Sequence, residues 1–270
     1  MQSILFSGSS FTQGIGLELE LSKRFNDSNW LKQNGVVLPH QWCDEDFNNI
    51  RKFRWPKLVC NELGYNEIVG NDTHKDWMYN STDLLSKLLE IDSTDIVDIK
   101  HIIIEPQMLR FISKDKVQYT PTEMIHLLGD PKTDAVLREQ IHGFIETFDE
   151  EQSAKDYIDL FCKVRDRHPH IHFHLLLMYA FIPTISNEYE QKIRKNIITM
   201  TINGETSTNI HRLLTANKLL IRDTAFCYTH NEGKWNEGGY QDLHPSVSGH
   251  QIMAENIINR IFKIDSPSLL

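Results

Sequence analysis

The chain has 270 residues, 40% hydrophobic and 24% charged, with a formal charge of −9. That length supplies the core of one α/β domain, and no apolar run approaches the ~20 residues that span a bilayer; acidic charge without a basic stripe argues against nucleic acid and suits small neutral or cationic ligands. The four cysteines, Cys43, Cys60, Cys162 and Cys227, form no CxxC pair, and no secretory-type segment follows Met1, so free thiols and a cytoplasmic location are expected.

Ile4-Leu5-Phe6 reads as a strand, Ser7-Gly8-Ser9-Ser10 as a small-residue turn, and the chain from Phe11 onward as a helix start. A hydroxyl in such a turn sits at the carboxyl edge of a sheet, beside the positive end of a helix, with neighbours too small to bury it. Ser10 is therefore a candidate nucleophile, and equally a candidate helix cap.

Leu17 to Leu21 alternates apolar and charged residues and fits either a strand or a short helix. Residues 26–54 show little regular pattern and carry Trp30, Trp42, Pro39, His40 and the acidic run Asp44-Glu45-Asp46. This inserted region is expected to be a lid or pocket wall, or else a packed surface loop. Pro56 to Leu63 reads as an amphipathic helix ended by Gly64, and Asn66 to Val69 as a strand closed by Gly70-Asn71-Asp72. A helix over about 83–91 precedes the strand His101-Ile102-Ile103-Ile104, whose continuous β-branched run suits a sheet covered on both faces.

Residues 121–167 read as helix broken at Asp130-Pro131. His170, His172 and His174 then alternate into the strand ending Leu175-Leu176-Leu177. That spacing places three imidazoles on one face, as a metal site requires, but no acidic or Cys ligand accompanies them, and a hydrogen-bonded sheet edge is the expectation. A helix around 189–196, a hairpin over 197–206 turning at Asn203-Gly204, another short helix and a strand at Lys218 to Ile221 follow. Gly233 to Gly239 reads as a polar loop. Five short strands alternating with helices imply a parallel sheet with helices on both faces and ligands at the carboxyl ends of the strands.

The closing stretch is Tyr240-Gln241-Asp242-Leu243-His244-Pro245-Ser246-Val247-Ser248-Gly249-His250. Pro245 and Ser246 can open a helix whose Met253, Ile257, Ile258 and Ile261 form a buried stripe. Asp242 and His244 fall just before it, spaced so that a carboxylate can hold one ring nitrogen while the other faces a serine hydroxyl.

Together, Gly8-Ser9-Ser10-Phe11-Thr12 and Asp242-Leu243-His244-Pro245-Ser246 resemble, in order and position, the opening and closing blocks of the SGNH or GDSL hydrolase family. The resemblance implies a three-layer α/β/α flavodoxin-like sandwich, here a single domain over 1–270 with a five-stranded parallel sheet and the insertion at about 26–54. It aligns Ser10 with the nucleophile, Asp242 with the acid and His244 with the base. Ser9 replaces the family's usual aspartate, which is not the triad acid. The oxyanion hole would use the backbone of Ser10 and Gly70, with Asn71 as the alternative to Gly70. The family's Gly-x-Asn-Asp block after the third strand is absent, and Gln107, after Glu105-Pro106, is the nearest amide. Trp55-Pro56-Lys57-Leu58 to Gly64 also looks like the helix before the second strand in some of these hydrolases.

The expected activity is hydrolysis of a carboxylic ester, with an O-acetyl group on a carbohydrate as one substrate, and without cofactor or metal. The alternative is a degenerate member of the fold that binds a glycan or protein without turnover. A phosphate- or flavin-binding protein fits less well, because the first turn lacks the Gly-Lys-Ser/Thr ending and would leave Asp242 and His244 unexplained.

Overall fold

Alternating side chains along a strand face opposite ways, so a strand apolar at every position needs cover on both sides. The first strand, β1 (Ser3–Ser7), has such a run at its centre, Ile4-Leu5-Phe6, all three buried. In the computed structural model, which describes residues 2–8, 17, 21, 44–69, 81–106, 111–112, 118–119, 121–178, 186–220, 228–231, 234–237 and 244–265, it lies in the middle of a parallel sheet.

Helices α1 (Asp44–Phe53) and α2 (Trp55–Leu63) precede β2 (Asn66–Val69). Then follow α3 (Ser81–Glu90), β3 (Ile99–Ile104), the short pair β4 (Phe111–Ile112) and β5 (Gln118–Tyr119), and the helices α4 (Pro121–Gly129), α5 (Ala135–Thr147) and α6 (Glu150–Arg167). Next come β6 (His172–Leu175), α7 (Asn187–Ile193), the hairpin of β7 (Met200–Ile202) and β8 (Glu205–Ser207), and α8 (Ile210–Ala216). A second hairpin, β9 (Tyr228–Asn231) and β10 (Lys234–Glu237), and the long α9 (Val247–Asp265) complete the order.

The main sheet runs β2-β1-β3-β6, all parallel. On one face Ile4, Phe6 and Ile103 pack with Trp55 and Val59 of α2, Leu213 of α8, and Met253 and Ile257 of α9. On the other, Leu5, Ile102 and Ile104 pack with Leu85 of α3 and with Tyr157 and Phe161 of α6. Each buried Ile, Leu or Phe contributes about 1.5–3 kcal/mol, so these two layers hold the central strands in register. The chain is thus mixed α/β, with helices packed on both faces of the parallel sheet, and the strand order turns in opposite directions on either side of the gap between β1 and β3.

The five-stranded expectation is corrected to four among the described residues. Beyond β6 there is only a parallel bridge between Leu175 and Ile197. The residues expected as the last strand go elsewhere: Leu220 makes an antiparallel bridge to Pro245, and Ser246 N–H donates to the Leu219 carbonyl at 2.9 Å. Proline has no N–H with which to extend that pairing.

Two other stretches differ from the reading of the sequence. Asp44–Phe53, expected as part of an irregular insertion, is helical, with Ile50 buried against Leu17; residues 26–43 lie outside the described residues. Gly233 to Gly239, expected as a loop, contributes β10, paired antiparallel with β9. Leu17 and Leu21, left open between strand and helix, are both helical.

Candidate active site

In an open parallel sheet the crevice for a ligand lies at the carboxyl ends of the strands, where neighbouring connections diverge. Here that point lies between β1 and β3. The backbone joins the two strands to their ends, with the Glu105 N–H donating to the Ser7 carbonyl at 2.8 Å. Gly8 follows β1 at this edge, and Glu105 is buried beside it. Ser10, Gly70, Asn71, Gln107 and Asp242 lie outside the described residues; His244 lies within them, half-buried at the head of α9.

The head of α9 is built by Ser246, Gly249 and His250. Ser246 Oγ accepts the Gly249 N–H at 3.1 Å, which satisfies one of the helix's first free donors, and its own hydroxyl donates to the Leu219 carbonyl at 3.0 Å. Gly249 is there because the Leu219 oxygen comes so close: a Cβ at this position would meet it at 2.5 Å and the Pro245 Cβ at 3.1 Å. Buried His250 comes next, turned toward α2.

His250 Nδ1 accepts the backbone N–H of Trp55 at 3.2 Å. The proton of the neutral ring is therefore on Nε2, which has no hydrogen-bond partner among the described residues. Burial, the neighbouring His244 and the Arg54 guanidinium push its pKa down to about 3, so it is neutral at physiological pH. Trp55 in turn sets its indole edge-on to the Phe6 ring, with centroids 5.2 Å apart. One chain of contacts thus runs from the His244 segment through His250 and Trp55 to β1, a few residues before Ser10 in the sequence.

Arg54, which precedes α2, is buried and pairs with Glu67 of β2 at 2.8 Å; Arg51 approaches the other carboxylate oxygen at 3.5 Å. Cys60, in the same layer, is a buried thiol whose pKa is raised to about 12, chiefly by burial and then by Glu67, so it is no nucleophile.

The histidine-rich strand supplies a different structure. β6 begins at His172, so His172 and His174 share a face while His170 precedes the strand, its ring set against His168. The partner of His174 comes from β3: His101 Nδ1 and His174 Nε2 are 3.1 Å apart, and Arg260 Nε donates to His174 Nδ1 at 3.4 Å. His174 is thus a neutral ring with its proton on Nε2, donated to His101. Burial first, and then His101, Arg260 and His172, hold its pKa well below the ordinary value. The His101 ring stacks on those of His172 and His174 at interplanar angles of 28° and 29°. Near-parallel rings do not converge their lone pairs, and no group of three or more potential metal ligands occurs among the described residues. His168 is a brace, its Nε2–H donating to the Leu88 carbonyl at 2.8 Å with Ser93 Oγ 2.9 Å from Nδ1.

No family model and no curated protein matches the chain. Solved structures that it resembles include a carbohydrate esterase whose active site displays divergent catalytic and non-catalytic binding functions, at 11% identity and a TM-score of 0.34, covering 96% of this chain and 68% of that one. A family two carbohydrate esterase from Clostridium thermocellum in complex with cellohexaose matches at 13% identity and a TM-score of 0.37, covering 97% and 64%. An acetyl xylan esterase from the rumen bacterium Butyrivibrio proteoclasticus matches at 12% identity and a TM-score of 0.38, with the same coverage. The chain therefore spans about two thirds of the length of these proteins.

Reading the sequence alone leaves Arg54, Glu67 and His101 without a role. Arg54 and Glu67 meet across the connection of α2 to β2, 13 residues apart, whereas His101 meets His172 and His174 only through the register of β3 and β6. The Gly249-His250 pair was visible as part of the closing block, but not what His250 bonds.

Proposed function

We propose that the chain is a serine esterase or acyl hydrolase of SGNH type, formed as one domain over residues 1–270. In this reading His244 takes the proton from Ser10 Oγ as that oxygen attacks an ester carbonyl, Asp242 orients the imidazole, and backbone N–H groups of Ser10 and Gly70 or Asn71, with Gln107, bind the oxyanion. His244 gives that proton to the departing alcohol, leaving an acyl-enzyme; it then takes a proton from the attacking water and returns it to Ser10 Oγ as the carboxylic acid leaves. The observation that carries the reading is the position of His244: at the head of α9, beside a buried histidine bonded to α2, whose Trp55 rests on Phe6 at the end of β1.

The acidic balance of the chain favours an uncharged substrate over an anionic one, and an O-acetyl group on a carbohydrate fits that requirement. The test is hydrolysis of p-nitrophenyl acetate, with Ser10→Ala and His244→Ala each lowering kcat on the order of 10⁴-fold. Wild-type turnover that survives both substitutions would refute the reading.

A second reading, binding of a glycan or protein without turnover, is favoured by one feature. The sequence Ile104-Glu105-Pro106-Gln107 stands where the family carries its Gly-x-Asn-Asp oxyanion block. Loss of one oxyanion donor costs about 100- to 1000-fold, so this substitution separates an efficient enzyme from a slow or inactive one.

A further inference from the structure

The first turn of a helix has backbone N–H groups with no partner inside the helix, and a side chain at the N-cap ordinarily accepts one of them. At α2 the N-cap is Arg54, extended at φ −70 and ψ 143, with no side-chain cap bond, and Pro56 brings no N–H. The Lys57 and Leu58 N–H groups bond back to the Arg54 carbonyl at 3.1 and 3.2 Å. The remaining donor, Trp55 N–H, is accepted by His250, 195 residues away in sequence.

That acceptor is a fully buried imidazole, where an apolar side chain would pack without the cost of burying a polar ring. Its place is fixed by its neighbours. Gly249 lets α9 touch the Leu219 carbonyl, Ser246 caps the same helix, and the His250 N–H donates to the Ser246 carbonyl at 2.8 Å. On the other side, Trp55 carries the contact to Phe6.

We propose that His250 is a positioning residue: as the cap of α2 supplied by α9, it locks the amino ends of the two helices together and fixes the His244 segment against the end of β1. The inference rests on the esterase reading above. His250 touches no reacting atom; its effect on the reaction passes through the placement of His244. A misplacement of about 1 Å at such a site costs roughly a hundredfold in rate, so the bond is a determinant of turnover rather than of substrate affinity.

The experiment compares His250→Leu, which keeps bulk and removes the acceptor, with His250→Asn, whose Oδ1 takes the place of Nδ1. Three readouts are made on the full chain: amide exchange at Trp55, the imidazole resonances of His244, and kcat and KM for p-nitrophenyl acetate. The expected result for His250→Leu is Trp55 exchange at least about tenfold faster, shifted His244 resonances, and kcat lowered roughly tenfold to a hundredfold with KM within about twofold. His250→Asn is expected to recover Trp55 protection, the His244 resonances and most of kcat. Unchanged Trp55 protection in the Leu variant, or equal loss of kcat in a folded Asn variant that keeps Trp55 protected, would overturn the proposal. If the Leu variant does not fold, the Asn variant decides by the same criterion. If the wild type shows no turnover, the esterase reading fails by itself, and the Trp55 and His244 resonances still decide whether His250 positions that segment.

Discussion

Arg54 Nη2 stands 2.8 Å from Glu67 Oε1, and both side chains are 2% exposed. A buried pair of this kind contributes little net stability when complete, because desolvation offsets most of the attraction, but removing one member strands the other charge. Glu67→Ala is expected to cost about 3–5 kcal/mol, and replacing both residues with apolar ones of similar volume far less. Urea unfolding of the single and the double variant measures this; a Glu67→Ala cost no larger than that of the double replacement would show that Arg54 is satisfied by acceptors other than Glu67.

Gly249→Ala puts a methyl group where the Leu219 oxygen would lie 2.5 Å away. Neither the carbonyl nor the Pro245 ring is the free end of a flexible side chain, so the head of α9 has to move. The expected cost is about 1–3 kcal/mol in thermal or urea unfolding, together with a drop in esterase turnover. A variant as stable and as active as the wild type would mean that α9 tolerates a shift at this point.

Acid is expected to weaken the fold through two buried neutral histidines. His250, facing His244 and Arg54, titrates near 3, and His174, facing His101, His172 and Arg260, lies well below its ordinary 6.5. Below pH 6.5 the unfolded chain binds protons at these positions that the folded chain does not, so stability falls as pH falls toward 3. Each pH unit costs about 1.4 kcal/mol per such histidine, an upper value that the compactness of the unfolded state reduces. Urea midpoints at pH 7.5, 5.5 and 4.5 check it: His250→Asn and His174→Gln should each flatten the decline, and unchanged slopes in both would show that other groups govern it.

How much of this was legible in the sequence depends on the range of the interaction. Local signals held well: α2 ends at Gly64 in the left-handed conformation with φ 71, and the hairpin turns at Asn203 and Gly204 with φ 50 and 83. The stripe Met253, Ile257 and Ile261 is buried on α9. Helix α1 does not emerge from the sequence because DEDFNNIRKF is mostly polar, with its apolar residues limited to Phe47, Ile50 and Phe53. The hairpin of β9 and β10 was missed because its alternation is polar, although Glu232-Gly233 between the two runs is a turn signal. The Lys218 to Ile221 run has strand composition, but its partner turned out to be Pro245, which limits it to one bridge.

At the site, the helix start at Pro245 and Ser246 followed from the closing block. The His101–His174 and Trp55–His250 bonds did not, since each depends on strand register or on the docking of two helices far apart in the chain. The functional reading of Ser10, Asp242 and His244 as a triad stands on the sequence, and His244 is the member of the three that lies among the described residues.

Treatment with a fluorophosphonate, followed by mass-spectrometric mapping of the adduct, tests the central claim most directly. A serine activated by a neighbouring imidazole should take up one adduct on the peptide that contains Ser10, and His244→Ala should slow that labelling on the order of 10³-fold or more. No adduct on the wild-type chain, or an adduct on another residue with Ser10 unmodified, would contradict the account.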